Sequence, residues 1–421
     1  MSPRRVAVTG LGVVSPVGAG DAAAGTFFDA LLAGRSGLRL YSPPESPRPF
    51  AVPAGVCAQF SADAALGRAR ALTMDRYSQL GVAAGLEAWR DAGLAAARDG
   101  ERDDWGVAWG SSLGGALTFE RGYRDAFVAG RDRVAPLTVV QAMTNACASH
   151  LAIGFGLGGA CSTYSVACSS AAIAIGEAMR RVRSGAAPVM LAGGSDAPLA
   201  FGVIRAWRAL QVLATADEGT AAQCCRPFQR ARAGLVLAEG AAALVLEDWE
   251  RAARRGARIY AELAGYGESC DRSNLVRPDR DGQARALRAA LEDARLAPAE
   301  LDYVNAHATG TREGDTVEVA ALAAVLGAHA PGVALSSTKS AHGHPLGAAG
   351  AIEAVATVLA LHRGSIPPTL GDPAGLDPDC AGLEHVIGSV CGRGGRRLRA
   401  ALSNSFAFGG SNAVLAFRAA A

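Results

Sequence analysis

Ser165-Val166-Ala167-Cys168-Ser169-Ser170-Ala171-Ala172 reads as a strand that delivers a cysteine to the first turn of a helix. Residues 162–166 are of types that suit a pleated strand, and residues 169–183 form an Ala/Ile/Met-rich helical run that Gly185 stops. Cys168 falls at the junction. There the unpaired N–H groups and the positive end of the helix dipole favour a thiolate, and a backbone N–H can stabilise an oxyanion on an attacked carbonyl. A cysteine taken alone is more often a small buried hydrophobe than a nucleophile. What marks this one, among nine, is the company it keeps further along the chain.

A chain of 421 residues that is 50% hydrophobic can bury an extensive core, as several ordinary domains or one large double domain. The formal net charge is only +2, and there is no basic stripe of the kind nucleic acid requires. Of the 41 Lys and Arg residues, only Lys339 is lysine. The sequence starts directly with a strand pattern, without an apolar signal region or a run long enough to span a bilayer. Its nine irregularly spaced cysteines suit reduced thiols better than a disulfide framework. Both features point to a cytoplasmic protein. Cys224 and Cys225 lack a partner at zinc-ligand spacing, which argues against a metal site there.

Residues 6–9 predict a first strand, followed by a loop, Gly10-Leu11-Gly12-Val13-Val14-Ser15-Pro16-Val17-Gly18. Its glycines do not make the dinucleotide fingerprint, and Pro16 falls where a helix would start. Helices are expected at about 21–33, 75–92 and 139–151, and strands at 104–109, 189–192 and 241–246. The flexible Gly110-Ser111-Ser112-Leu113-Gly114-Gly115 follows the first of these strands. A second series begins near residue 250: strand 259–263, helix 282–295, strand 301–306, helix 315–326, strand 333–338, helix 346–362, and strands near 384–390, 398–403 and 412–418. Alternating strands and helices argue an α/β architecture with predominantly parallel, helix-covered sheets. Residues 1–250 form an N-terminal half carrying the cysteine, and residues 251–421 a C-terminal half.

In the second half three segments place unusual polar residues at strand ends, where α/β proteins hold their chemistry. They are Asn305-Ala306-His307-Ala308-Thr309-Gly310-Thr311, Lys339-Ser340-Ala341-His342-Gly343-His344-Pro345-Leu346-Gly347-Ala348-Ala349-Gly350 and Asn404-Ser405-Phe406-Ala407-Phe408-Gly409-Gly410. With Val166-Ala167-Cys168-Ser169-Ser170 they resemble the β-ketoacyl-acyl-carrier-protein synthases, in the elongating Cys-His-His branch of the thiolase-like superfamily. The resemblance runs over essentially the whole chain in the same order.

That resemblance implies a five-layered αβαβα thiolase-like fold of two similar halves, normally a homodimer, and an acyltransferase. Cys168 would take an acyl chain from the phosphopantetheine of an acyl carrier protein as a thioester. His307 and His344 would assist decarboxylation of malonyl-carrier protein and stabilise the enolate that attacks the acyl carbon. These residue types suit the chemistry, because a thioester is an activated acyl donor and two imidazoles can aim donors at an enolate oxygen. By the same resemblance Lys339 orders the histidines with Glu353 as its ion partner, and Asp315 supports them. The N–H groups of Cys168 and Phe408 would form the acyl oxyanion hole. Thr309 and Thr311 would bind the phosphopantetheine arm, and Leu113 and Phe408 would gate the acyl pocket. Ala142 and Met143 lie where the partner subunit contributes to its wall. No bound cofactor is implied and no metal is required; Asn305, Glu353, Ser403 and Asn404 match positions that surround a monovalent cation in some members.

Two departures from the family pattern stand out. Ala407 replaces a glycine between the two phenylalanines, which restricts the loop bearing Phe408. Val276 stands where many relatives have a threonine for the carrier arm. A thiolase would offer a second cysteine in a Cys-Gly-Gly context, whereas Phe408-Gly409-Gly410 occupies that place and Cys391 comes too early. A non-catalytic chain-length partner would lack Cys168. The alternative that stays open is the catalytic subunit of a type II polyketide or polyene system, paired as a heterodimer with a chain-length-factor-like subunit.

Overall fold

Two series of five strands share one spatial order. The computed structural model describes residues 4–18, 23–44, 46, 48–94, 102–392 and 397–420. Its first series is β1 (Val6–Val14), β2 (Gly106–Gly110), β3 (Cys161–Tyr164), β4 (Val189–Asp196) and β5 (Gly240–Asp248). The second is β6 (Ala261–Cys270), β7 (Tyr303–Asn305), β8 (Ala334–Ser336), β9 (Ala400–Phe406) and β10 (Ser411–Ala419). Side by side they run β1-β5-β4-β2-β3 and β6-β10-β9-β7-β8. In both, the pairs made by the last strand are antiparallel and the remaining pairs parallel. The two series join edge to edge where Ala7 and Val8 of β1 face Glu262 and Ala261 of β6. No repeat is legible in the sequence of the two halves, but the strand order shows one.

The third strand of each series feeds a central helix, Ser170–Ser184 after β3 and Ala349–Arg363 beyond β8. These two helices pack against each other and against strands of both series. Small residues set their approach: a Cβ on Gly350 would lie 2.9 Å from the backbone nitrogen of Ala172. Every residue from Ala349 to Leu361 is buried, which explains why Leu346–Arg363 is apolar on all sides. With 18 residues and a mean hydropathy of 1.2 this stretch passes for a membrane span by length and composition only; 89% of it is buried inside the fold, so its apolarity is that of a core helix, in keeping with the expectation of no membrane span. Helices Arg76–Asp91, Arg280–Asp293 and Arg312–Leu326 cover the outer faces.

Some expected boundaries move for physical reasons. β1 continues to Val14, through what the sequence reads as a glycine loop. Gly10 and Gly12 let helix Arg76–Asp91 lie directly on the strand, since a Cβ there would stand 2.2 Å from Ala88 O and 2.0 Å from Ala84 O. The expected helix 139–151 is two helices, Thr138–Ala142 and Ala146–Phe155. Tyr77 Oη donates to the Met143 carbonyl at 2.5 Å, taking an acceptor that a continuous helix would use. The strand expected at 384–390 is reduced to Glu384–His385. Met1 to Pro3, and positions 21–22 of the first expected helix, lie outside the described residues.

Candidate active site

The local chain at Cys168 is a sharp elbow. β3 ends at Tyr164, residues Ala167–Ser169 make one 3-10 turn, and the central helix begins at Ser170. Ala167 holds φ = 44°, a left-handed conformation that costs a residue with a Cβ. Ser170 Oγ braces it, donating to Ala167 O at 2.7 Å and accepting from Val166 N at 2.8 Å. Leu346, two residues after His344, is strained in the same way at φ = 43°. Strain of this kind persists only where the surroundings over-determine it, and here it flanks both reacting side chains.

Because the two central helices start at neighbouring points, their N-terminal turns bring Cys168 and His344 together. Cys168 Sγ lies 3.0 Å from His344 Nε2. The His307 ring stands edge-on to that of His344, with centroids 5.4 Å apart and planes at 82°. One ligand atom from each of the three residues falls within 4.8 Å of the others. His307 follows β7, and its backbone is fixed by Glu318, which accepts from His307 N at 2.9 Å and Ala308 N at 2.8 Å. Asn404 Nδ2 donates to the same carboxylate at 2.9 Å.

Lys339 is fully buried and pairs with the equally buried Glu353. Burial first, and the Lys339 charge second, push His307 and His344 well below the ordinary histidine value. Both imidazoles are therefore neutral at physiological pH. Burial pushes the Cys168 thiol up to about 12, with Lys339 and the Phe408 N–H pulling it back. Burial thus favours the thiol, against the thiolate that a helix terminus alone favours. The proton has an acceptor at hand in His344 Nε2.

The trio opens into a cavity of about 570 Å³ that Thr309, Thr311, Val276, Ala407 and Phe408 also line. Thr309 and Thr311 hydroxyls sit 3.3 Å apart. Phe408 is stacked on Trp207, centroids 5.6 Å apart and 18° between planes. Ala407 is absent from the residues with positive φ, so its methyl causes no backbone strain; Gly409 and Gly410 take the left-handed positions of this turn. Leu113 does not line the cavity but packs against the apolar cluster that includes Cys168. Ala142 is buried away from the cavity, and Met143 is exposed on the surface. Asp315 does not touch the trio; it accepts from Phe228 N at 2.9 Å and Gly310 N at 3.1 Å, fixing the turn between the two threonines.

The expected cation ligands divide between two faces of the sheet. Asn305 and Ser403 are register partners on neighbouring strands, and Asn305 Nδ2 reaches Glu353 O at 3.4 Å. The buried oxygens Asn305 Oδ1, Glu353 Oε2, Ser403 Oγ and Ser405 Oγ have no hydrogen-bond partner, a donor set that fits a monovalent cation. Asn404 alternates to the opposite face, with its side chain on Glu318.

Two carboxylates escape a reading of the sequence. Glu318 is one helical turn beyond Asp315, on the buried face of the same helix; only that spacing could have flagged it. Asp196, at the end of β4, accepts from Ser111 Oγ (2.9 Å), Ser112 Oγ (2.6 Å), the N–H groups of Ser112 (2.9 Å) and Leu113 (3.2 Å), and Gly347 N (2.7 Å). It thereby ties the loop bearing Leu113 to the turn after His344. Asp196→Ala is expected to cost at least about 3 kcal/mol, because several buried donors lose their acceptor together. The urea midpoint measures this, and an unchanged midpoint would refute it.

The beta-ketoacyl synthase N-terminal domain family matches residues 3–252, and its C-terminal domain matches residues 260–371. Nodulation protein E of Rhizobium sp. (strain N33) is 44% identical over 84% of this chain and 85% of its own. The 3-oxoacyl-[acyl-carrier-protein] synthase 2 of Staphylococcus aureus (strain N315) is 36% identical over 99% and 98%. Among solved structures, the ishigamide ketosynthase/chain length factor superposes with a TM-score of 0.90 at 32% identity, covering both chains completely. A thiolase-like double fold, a Cys-His-His cluster at its centre and family matches to both halves lead to one conclusion: this chain belongs to the beta-ketoacyl synthase family, a ketosynthase of the acyltransferase class.

Proposed function

We propose that the chain condenses an acyl group held on Cys168 with malonyl-acyl-carrier protein, giving a β-ketoacyl-carrier protein two carbons longer. The observation that carries this is Cys168 Sγ at 3.0 Å from His344 Nε2, with His307 facing the same cavity. In the first step Cys168 gives its proton to His344 and its sulfur attacks the carrier thioester. The N–H groups of Cys168 and Phe408 hold the oxyanion, and the carrier thiol leaves with the proton. In the second step the malonyl carboxylate leaves as CO₂. With their ring protons on the nitrogens that face the cavity, His307 and His344 donate to the enolate oxygen; the enolate carbon attacks the acyl carbonyl, and Cys168 is expelled as a thiolate that takes up a proton from solvent to restore the thiol. Thr309 and Thr311, at the cavity wall, supply hydroxyls for the phosphopantetheine arm.

Incubation with acyl- and malonyl-carrier protein, followed by mass spectrometry of the carrier, tests the reading. Appearance of the extended β-ketoacyl carrier supports it, and CO₂ release without any extended product argues against it.

Exposed large apolar side chains support a dimer. Phe127, Val128 and Ile153 are each about four-fifths exposed, at 83%, 78% and 81%, and Val139 and Met143 are exposed as well. The neighbouring strand β3 lies at the end of the sheet with one edge unpaired within the chain, an arrangement that invites a partner. The likeness to a ketosynthase/chain length factor pair favours a second reading, a heterodimeric catalytic subunit of a type II polyketide or polyene system. Purification from the native source decides between them by whether one or two ketosynthase-like chains elute together. All nine cysteines are free, which supports a reducing, cytoplasmic site of action.

Ala407→Gly tests the gate. Glycine adds backbone freedom to the turn carrying Phe408, so loading of long relative to short acyl donors is expected to change, with a stability cost of about 0.5–1 kcal/mol. Loading rates identical to the parent would leave Ala407 without a role in gating.

A further inference from the structure

We propose that Cys168, His307 and His344 together form a site for a thiophilic divalent cation, Zn²⁺ in particular, whose occupancy excludes the acyl group from the same sulfur. Three elements of the fold contribute one donor each, and one ligand atom from each lies within 4.8 Å of the other two. The Cys168 Sγ–His344 Nε2 pair is already at 3.0 Å. A tetrahedral zinc needs sulfur and nitrogen donors roughly 3.3–3.8 Å apart, given Zn–S near ~2.3 Å and Zn–N near ~2.0–2.1 Å. The trio is thus within about 1 Å of a ligating arrangement.

The donor set is the kind zinc selects. One sulfur and two imidazoles suit a borderline-soft ion, whereas Mg²⁺ and Ca²⁺ prefer oxygen. Coordination displaces the thiol proton: Cys168–SH + Zn²⁺ gives Cys168–S–Zn⁺ and H⁺, with no change of oxidation state. The Lys339 charge opposes the cation and Glu353, its ion partner, offsets it; Glu318 adds a further carboxylate at the cavity wall. All three donor residues line the cavity, which gives the ion its way in and out.

The site is read without turnover, so its failure is distinct from failure of the condensation reaction. Chelator-treated protein is titrated with Co²⁺ as a spectroscopic probe and with Zn²⁺ by competition. The expected result is one ion per chain, a thiolate-to-cobalt charge-transfer band and one proton released per ion. Cys168→Ala should abolish the band and weaken Zn²⁺ binding by at least ~100-fold, the scale on which even supporting residues of metal sites act. The exposed Cys161 and Cys270 remain in that variant as controls. Parent protein alkylated at Cys168 should behave likewise, and His307→Ala should lose affinity while keeping the sulfur band. Cobalt bound without a charge-transfer band, or undiminished Zn²⁺ affinity in Cys168→Ala, overturns the proposal.

Discussion

Cys168→Ala is expected to abolish condensation while malonyl-carrier-protein decarboxylation continues. The substitution removes the acyl acceptor and nothing else on which CO₂ loss depends. His307 and His344 are held by groups that do not include the sulfur: Glu318 fixes the His307 backbone, and His344 N donates to Val236 O at 2.7 Å. The lost term is all-or-none, since no other thiol lines the cavity among the described residues, and covalent catalysis has no partial substitute. Stability should fall little, because a small buried side chain is replaced by one only slightly smaller. CO₂ release and extended product are assayed side by side on one preparation. Extended product from the variant would show that Cys168 is not the acyl carrier.

Lys339→Arg is expected to lower condensation by about 100-fold or more in a protein that still folds. The side chain is enclosed on all sides, with Glu353 as its ion partner. Arginine keeps the charge but replaces a compact rotatable ammonium with a wide planar fork. Overpacking of this kind costs about 1–3 kcal/mol and shifts the neighbours, and an error of about 1 Å in catalytic geometry costs ~100-fold in rate. In a chain where the other forty of the 41 Lys and Arg residues are arginine, the retained lysine marks a place with room for the smaller cation only.

Lys339→Met separates charge from shape. It leaves Glu353 buried without its partner, at a cost of about 3–5 kcal/mol, and removes the charge that helps to hold both histidines low. Their folded-state pKa values should rise toward the ordinary histidine range, so the imidazoles protonate sooner on acidification and the acid limb of the decarboxylation profile moves to higher pH. Near-normal turnover in Lys339→Arg, or an unmoved acid limb in Lys339→Met, would make Lys339 a packing residue.

Local chemistry made several elements of this protein legible in the sequence. The strand-to-helix elbow at Cys168 follows from residue types over a few positions, as do the helices near 282–295 and 315–326 and the clustering of His307, Lys339 and His344 after strands. What the sequence could not determine depends on contacts between distant segments. Gly10 and Gly12 read as a loop because glycine is flexible alone; within the fold they are flat surface for helix Arg76–Asp91. The effect of burial on the Cys168 thiol is hidden for a similar reason, since a helix terminus is visible in sequence and burial is not. Asp196 and Glu318 gave no motif, because each gathers donors from segments far apart along the chain. The repeated strand order, which sets the starts of the two central helices side by side, exists only in three dimensions. Composition and periodicity act through neighbours in sequence, whereas desolvation, register and convergence of donors act through neighbours in space, and the reactive centre of this protein is built from the latter.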